Sequence, residues 1–420
     1  MDKKNLMPPM GWNSYDYYDT TVTEQDIKEH ADYMAAHLKE YGWEYIVVDI
    51  EWAAREAGLN REQYQYVPFG DMAMDEYSRL VPCENRFPSA ANGAGFKPLA
   101  DYVHQKGLKF GIHIMRGIPR YAAHNHMAIK GTTAKAHEIA DPYNICEWNP
   151  GMYGLYPDQP GAMEYYQSLI DLYAEWGVDF IKCDDICRLD AVSAKKEIEM
   201  LHKAIENSKR DIVLSLSPGP ALVELAAFYY ENAEMWRITD DFWDNWPSLR
   251  NMFDRCRNWQ NYVKTGGYPD CDMLPFGTIG KGFQDTRTSN FTFEEQRTVM
   301  SLWCIFRSPL MLGANLPMLD EKTLSLLTNK DVLSLLSDAK SPREIYRDNE
   351  KIIWKAKSYT DDSEYIALFN IAAESIGVIP EYYMRDEYFT ATDLWNKNTV
   401  DHTKINRIKS HDVLLIKCSR

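Results

Sequence analysis

The stretch Val178-Asp179-Phe180-Ile181-Lys182-Cys183-Asp184-Asp185 reads as a short buried strand with charged groups crowded at its C-terminal end. A strand has period two, so Lys182 and Asp184 point to the same side. A lysine beside an aspartate on one face lowers the carboxyl pKa and keeps it ionised. An ionised, positioned carboxylate at the mouth of a pocket is what a covalent nucleophile needs. Read alone, the same residues also fit a solvated strand end with an incidental ion pair.

Working outward, a helix over 161–176 ends at Gly177 and feeds this strand, and a helix over 191–208 follows it. Upstream, Pro8-Pro9-Met10-Gly11-Trp12-Asn13-Ser14 is a short buried segment, and Thr23 caps a helix running to about Glu40 with Asp26 in its first turn. Tyr45-Ile46-Val47-Val48-Asp49-Ile50 is a β-branched run suited to a sheet covered on both faces. A long irregular stretch to Gly95, a helix over 97–106 and a strand at Leu108–Ile114 come next. Downstream, a strand at Ile212–Ser217, a helix over 220–230, a strand over 234–239 and a helix over 247–262 alternate. A short strand near Asp272-Met273-Leu274, a helix over 293–306 and Pro309-Leu310-Met311-Leu312 complete the series.

Strand–helix alternation of this kind implies parallel strands with right-handed crossovers. Eight repeats predict an α/β chain with a (β/α)8 TIM barrel over 1–330. A doubly wound open sheet is the competitor, weakened because no Gly-rich phosphate turn follows the first strand. From about residue 335 the pattern changes to strands joined by short turns, predicting a small antiparallel β-sandwich domain over 335–420.

The chain has 420 residues, 13% of them aromatic, and a net charge of −16. That charge argues against nucleic acid, whose footprint is basic, and against an anionic membrane surface. No apolar h-region follows the first lysines and no run approaches a membrane span, so neither a secretory signal nor a membrane anchor is expected. The 8 cysteines lack a framework-like spacing, and Cys183 and Cys187 find no second pair to complete a zinc pattern. Free thiols in a cytoplasmic protein are the expectation. A homo-oligomer is left open.

Barrel strand ends converge on one pocket. There the sequence gathers Trp12, Asp49, His113, Lys182, Asp184, Asp185, Ser217, Arg237, Asp241 and Asp272. Aspartates from separate strands, with a single strand-end histidine, do not make a typical metal set, and His124 and His126 in a loop read as a surface pair. No metal or cofactor is expected. Two acids with opposite roles fit better: Asp184 ionised beside Lys182, and Asp241 protonated against an apolar wall of Trp236, Phe242, Trp243 and Trp246. One charged and one protonated carboxyl across a sugar is a glycosidase arrangement. Loop and capping acids at Asp240, Asp241 and Asp244, with tryptophans as plain core, fit the same stretch.

At these residues the chain resembles the melibiase-type retaining α-galactosidases, glycoside hydrolase family twenty-seven. Pro8–Ser14 is similar to the family's opening PPMGWNSW, and Trp176–Asp185 to its WGVDYxKYDN strand. Arg237-Ile238-Thr239-Asp240-Asp241, Pro269–Leu274, Pro309-Leu310-Met311, Asp393-Leu394-Trp395 and His411–Leu415 resemble further family segments, in order. The resemblance implies Asp184 as nucleophile and Asp241 as acid/base, with an oligosaccharide or glycoside as substrate. Trp12, Asp49, Lys182, Arg237 and Asp272 are expected to contact it, followed by His113 and Ser217.

The departures concern the sugar. The family's second strand usually ends Asp-Asp before Cys-Trp, both acids gripping galactose hydroxyls. Here it reads Asp49-Ile50-Glu51-Trp52, so one grip is missing unless Glu51 replaces it. His113 stands where a Tyr is usual, and Ser217 falls at the specificity position of the fifth strand, where a small residue suits a bulkier 2-substituent. An α-linked galactose-like sugar is expected, with α-N-acetylgalactosaminide, β-L-arabinopyranoside and α-glucoside as alternatives. A metal-dependent barrel hydrolase and a catalytically silent sugar-binding protein are the rival classes.

Overall fold

The computed structural model describes residues 7–58, 67–188 and 192–420. The extreme N-terminus read for a leader, residues 59–66 of the long irregular stretch, and residue 191 at the start of an expected helix lie outside them. Eight strands form one parallel sheet: β1 (Met10–Asn13), β2 (Tyr45–Val48), β3 (Lys109–Met115), β4 (Phe180–Asp184), β5 (Val213–Leu216), β6 (Met235–Arg237), β7 (Tyr268–Asp270) and β8 (Leu310–Leu312). From β1 to β7 each pairs with its sequence neighbour, and β1 also pairs with β8. A single parallel bridge between Leu274 and Leu312 joins the remaining edges and closes the ring. This is a TIM barrel.

Helices cover the outside: α1 (Glu24–His37), α2 (Lys97–Gln105), α3 (Ala162–Trp176), α4 (Val192–Ser208), α5 (Ala226–Asn232), α6 (Trp246–Trp259), α7 (Phe293–Phe306) and α8 (Glu321–Leu327). Period-two alternation sorts the strands' side chains into two cores. Tyr45, Val47, Phe180, Val213, Met235, Tyr268 and Met311 fill the interior. Ile46, Val48, Ile112, Ile181 and Leu214 face the helices. Phe180 therefore points inward, and so do Lys182 and Asp184 two and four residues on. Gly111 permits this packing: a Cβ there would meet Phe180 Cβ and Val47 Cγ2 at 2.9 Å.

Local signals set most element ends. Thr23 and Asp26 form a reciprocal capping box on α1, with Thr23 N donating to Asp26 Oδ2 at 2.9 Å. That helix stops at His37, earlier than its pattern suggests, and a 3₁₀ turn over Lys39–Tyr41 follows, closed by left-handed Gly42. The seventh strand lies at Tyr268–Asp270, not at Asp272–Leu274. Asp272 has φ 75°, which breaks the extended run before Leu274 rejoins the sheet. The helix expected over 220–230 begins only at Ala226, after a 3₁₀ turn, because the two prolines at 218 and 220 delay it.

After the barrel, β9 (Ala339–Arg347), β10 (Lys351–Ser358), β11 (Glu364–Asn370), β12 (Ile376–Val378), β13 (Thr390–Asp393), β14 (Asn398–Thr399), β15 (Asn406–Ile408) and β16 (Val413–Ser419) are all antiparallel. Six form one sheet in the order β9-β10-β11-β16-β13-β14, and β12 pairs with β15. Ile353, Ile366, Leu368, Ile376, Val378 and Ile416 form a core within this unit. On the other face, Ile352, Trp354, Ala367 and Phe369 join the barrel's core. Helix α7 lies between barrel and sheet and is buried on almost every side from Glu295 to Phe306. The Asp393-Leu394-Trp395 motif helps tie the two together: Trp395 Nε1 donates to Ser301 Oγ at 2.9 Å, and Asn329 Nδ2 to Leu394 O at 3.0 Å. No helix among the described residues is long and apolar enough to cross a membrane.

Candidate active site

Tyr15, Asp49, Ile50, Trp148, Lys182, Asp184, Arg188, Pro218, Asp240 and Asp241 line a cleft of about 350 Å³ at the C-terminal ends of the strands. Asp184 ends β4 with its carboxylate held from two sides. His113 Nε2 lies 3.0 Å from Oδ2, and Ser217 Oγ donates to Oδ1 at 2.9 Å. Burial alone would raise this carboxyl. The His113 hydrogen bond, the Lys182 and His113 charges and the Ser217 hydroxyl outweigh it and hold Asp184 well below the usual carboxylate range.

The ion pair expected between Lys182 and Asp184 takes a different form. Lys182 Nζ bonds Asp49 Oδ2 at 2.9 Å, on the neighbouring strand end. Asp49 also accepts from Asn13 Nδ2 at 2.7 Å, while its own N–H donates to Ser14 Oγ at 2.9 Å. The motif Asn13-Ser14 thus holds Asp49, and Asp49 holds Lys182. Burial opposes the charged ammonium, but Asp49 and Asp184 outweigh it and raise the lysine pKa.

Across the cleft, Arg237 at the end of β6 bridges two carboxylates, Asp241 at 3.1 Å and Asp272 at 2.8 Å. Asp272 also accepts from Phe242 N at 2.7 Å. Burial pushes the Asp272 carboxyl up to about 7, against the pull of Arg237 and with added repulsion from Asp241 and Asp270. Of the apolar wall expected around Asp241, only Trp243 stays half-buried nearby, edge-on to Phe283 at 5.5 Å, and the other three aromatics are engaged elsewhere. Trp236 is fully buried among Tyr229, Tyr230 and Trp259, Phe242 packs on Phe291 and Trp303, and Trp246 stacks on His411. Asp241 itself is half exposed, with Arg237 as its charged partner.

Three further expectations are corrected. Trp12 does not reach the cleft: it is fully buried, its indole N–H donates to Ala314 O at 2.7 Å, and its ring stacks on His30 at 4.1 Å. Glu51 turns away as well, at φ 64°, into a small apolar cavity behind the cleft, where Asn149 Nδ2 donates to it at 3.3 Å. Burial raises it to about 7. Asp185 is drawn off by Arg116 at 3.0 Å.

Sequence reasoning missed Tyr15, Trp148, Arg188 and the buried Asp16, whose carboxyl is raised by burial and by Asp272, Asp241 and Asp49. Tyr15 was findable, since it stands where the opening motif PPMGWNSW ends in Trp. Trp148 and Arg188 lie on long loops with no local pattern. Among the described residues, no group of three or more His, Cys, Asp or Glu has a metal-binding arrangement.

A family model for melibiases, "Alpha galactosidase A", matches residues 153–338. The solved GH27 β-L-arabinopyranosidase of Geobacillus stearothermophilus, in complex with arabinose, is 48% identical with a TM-score of 0.93, covering 99% of this chain and 97% of that one. The α-galactosidase of Cyamopsis tetragonoloba is 28% identical over 400 residues, 93% of this chain and 80% of that protein. That of Coffea arabica is 29% identical over 334 residues, 79% and 70% respectively. A closed parallel barrel with carboxylates at its mouth, matched along its whole length by such relatives, is a glycoside hydrolase. The chain belongs to glycoside hydrolase family 27.

Proposed function

We propose that the enzyme is a retaining exo-glycosidase acting on a terminal sugar of galactose configuration, with β-L-arabinopyranoside preferred over α-D-galactoside. Asp184 attacks the anomeric carbon and forms a glycosyl-enzyme. Asp241 protonates the departing oxygen and then activates water. The depressed Asp184 pKa supports the first role, because an ionised carboxylate is required before substrate arrives. Asp241, half exposed at the rim, can exchange protons with solvent between the two steps. Asp49, Lys182, Arg237 and Asp272 orient the sugar and the acids, while His113 and Ser217 fix Asp184.

The sugar follows from one observation: Ile50 lines the cleft beside Asp49, where the family usually carries a second carboxylate. Glu51 is turned away and does not replace it. The site is therefore one hydroxyl partner short. β-L-Arabinopyranose matches α-D-galactopyranose at every ring carbon and lacks only the hydroxymethyl group, hence one hydroxyl. The 48% identical relative is a β-L-arabinopyranosidase, in keeping with this reading. A buried hydroxyl left unpaired against Ile50 costs about 1–3 kcal/mol, or roughly 5- to 150-fold in selectivity.

A panel of nitrophenyl glycosides tests it: β-L-arabinopyranoside, α-D-galactoside, α-N-acetylgalactosaminide and α-glucoside. The first should give the highest kcat/KM, and Ile50→Asp should move the ratio toward α-galactoside at least about 10-fold. A wild-type preference for any of the other three would overturn the choice of sugar. We also place the enzyme in a reducing, cytoplasmic setting, since all 8 cysteines are buried and unpaired.

A further inference from the structure

The residue after Asp184 has an unusual backbone. Asp185 has φ 59°, in the left-handed region that is uncommon for any residue with a side chain, although aspartate enters it more readily than most. That turn aims the Asp185 N–H back at its neighbour, where it donates to Asp184 Oδ1 at 3.3 Å. Ser217 Oγ donates to the same oxygen at 2.9 Å, so the turn adds a second donor there. A conformation of this kind persists only where its surroundings hold it.

Arg116, the residue after β3, supplies the hold and is only 3% exposed. Its backbone N–H donates to Asp184 O at 3.0 Å. Its Nε donates to Asp185 O at 2.8 Å, and its Nη2 to Asp185 Oδ2 at 3.0 Å. The turn is thus gripped by the carbonyls on both sides of it and by its own side chain. Other partners fix the guanidinium: Nη1 bonds Glu197 Oε1 on α4 at 3.0 Å, and Nη2 bonds Asn144 Oδ1 on the strand Ala140–Ile145 at 2.9 Å. Glu197 is fully buried and accepts from Tyr166 OH at 2.6 Å. Gly154 leaves the room, since a Cβ there would collide with Arg116 Nη1. A planar guanidinium bonded at all three nitrogens is a rigid fork. β3 therefore reaches both oxygens of Asp184, Oδ2 through His113 at 3.0 Å and Oδ1 through Arg116 and the Asp185 turn.

We propose that Arg116 is a positioning residue for the nucleophile, acting by clamping the Asp185 turn that directs an N–H at Asp184 Oδ1. The inference rests on Asp184 being the nucleophile. Arg116 does not line the cleft, so its effect on the sugar is indirect. Misplacing an attacking atom by about 1 Å costs on the order of 100-fold in rate. Lys182, bonded to Asp49, and Arg237, bonded to Asp272, are held by other contacts. Loss of the clamp should therefore slow the attack and leave sugar binding nearly as it was.

The test uses a 2-deoxy-2-fluoro glycosyl fluoride of matched configuration, whose fluoride leaves without a proton from Asp241. Saturation kinetics then separate the reagent's Ki from the rate constant of covalent labelling. For Arg116→Met the rate constant should fall at least about 10-fold, with Ki within about 3-fold of wild type. Glu197→Gln keeps an acceptor for Nη1 and does not touch the turn; it should lower the melting temperature and leave the rate constant within about 2-fold. Asp185→Ala leaves Arg116 with Glu197 and Asn144, disfavours the left-handed turn, and decides the matter if Arg116→Met does not fold. Its rate constant should fall at least about 5-fold. A rate constant unchanged in Arg116→Met or in Asp185→Ala, or an equal fall in Glu197→Gln, overturns the clamp alone. A wild-type enzyme that takes no label on Asp184 overturns the assigned nucleophile as well.

Discussion

At the residue scale, the same side-chain type does opposite work according to what surrounds it. Asp184 receives a hydrogen bond from Ser217, contacts His113 and feels Lys182, and is held ionised. Asp272 is equally buried but shares Arg237 with Asp241, and is pushed up to about 7. Glu51 reaches about 7 mainly by burial in its cavity. Between the ordinary glutamate value and about 7, the native state keeps a proton that the unfolded chain has released. Stability therefore falls as pH rises through that window. Glu51→Gln removes the effect, so its melting temperature relative to wild type should be higher at pH 8 than at pH 5 by at least about 2 °C. Equal differences at the two pH values, measured by calorimetry, would mean that Glu51 ionises normally. The sequence marked Asp184 and Asp241 as candidates through strand period and motif order, and both line the cleft. It could not carry the partner of Lys182, since Asp49 lies 133 residues away and only the β2–β3–β4 ordering brings it near. Trp12 was misread for the same reason: a strand residue's motif does not say which side of the barrel wall it occupies.

At the scale of elements, the barrel strands were legible from apolar runs ending in acids. Element ends were less so where prolines or a left-handed residue intervened, as at Ala226 and Asp272. Helix α7 shows what periodicity misses. It is buried nearly all round, polar Glu295, Gln296, Thr298 and Ser301 included, because it is covered twice, by the barrel and by the β-sheet. Phe369 of β11 is fully buried and meets Phe253 of α6 edge-on at 5.0 Å across that junction. Phe369→Ala should cost about 3–5 kcal/mol in denaturant unfolding. A loss below about 1 kcal/mol would show that the sheet docks only loosely on the barrel.

At the scale of the whole molecule, the acidic surface, the closed barrel and the cysteine distribution agree with one another. Cys256 Sγ and Cys271 Sγ share a hydrogen bond at 3.6 Å, in which either thiol can donate, and neither is in a disulfide. Titration of the purified enzyme, unfolded without reductant, should find all 8 thiols. Six would place Cys256 and Cys271 in a disulfide and argue for an oxidising compartment. The proposed mechanism turns on the carboxylate at the end of β4. The most direct test is brief reaction with a 2-deoxy-2-fluoro glycosyl fluoride of matched configuration, followed by peptide mass mapping. A covalent sugar on Asp184 is the predicted result. A label on Asp241 instead, or turnover with inversion at the anomeric carbon, would contradict the account.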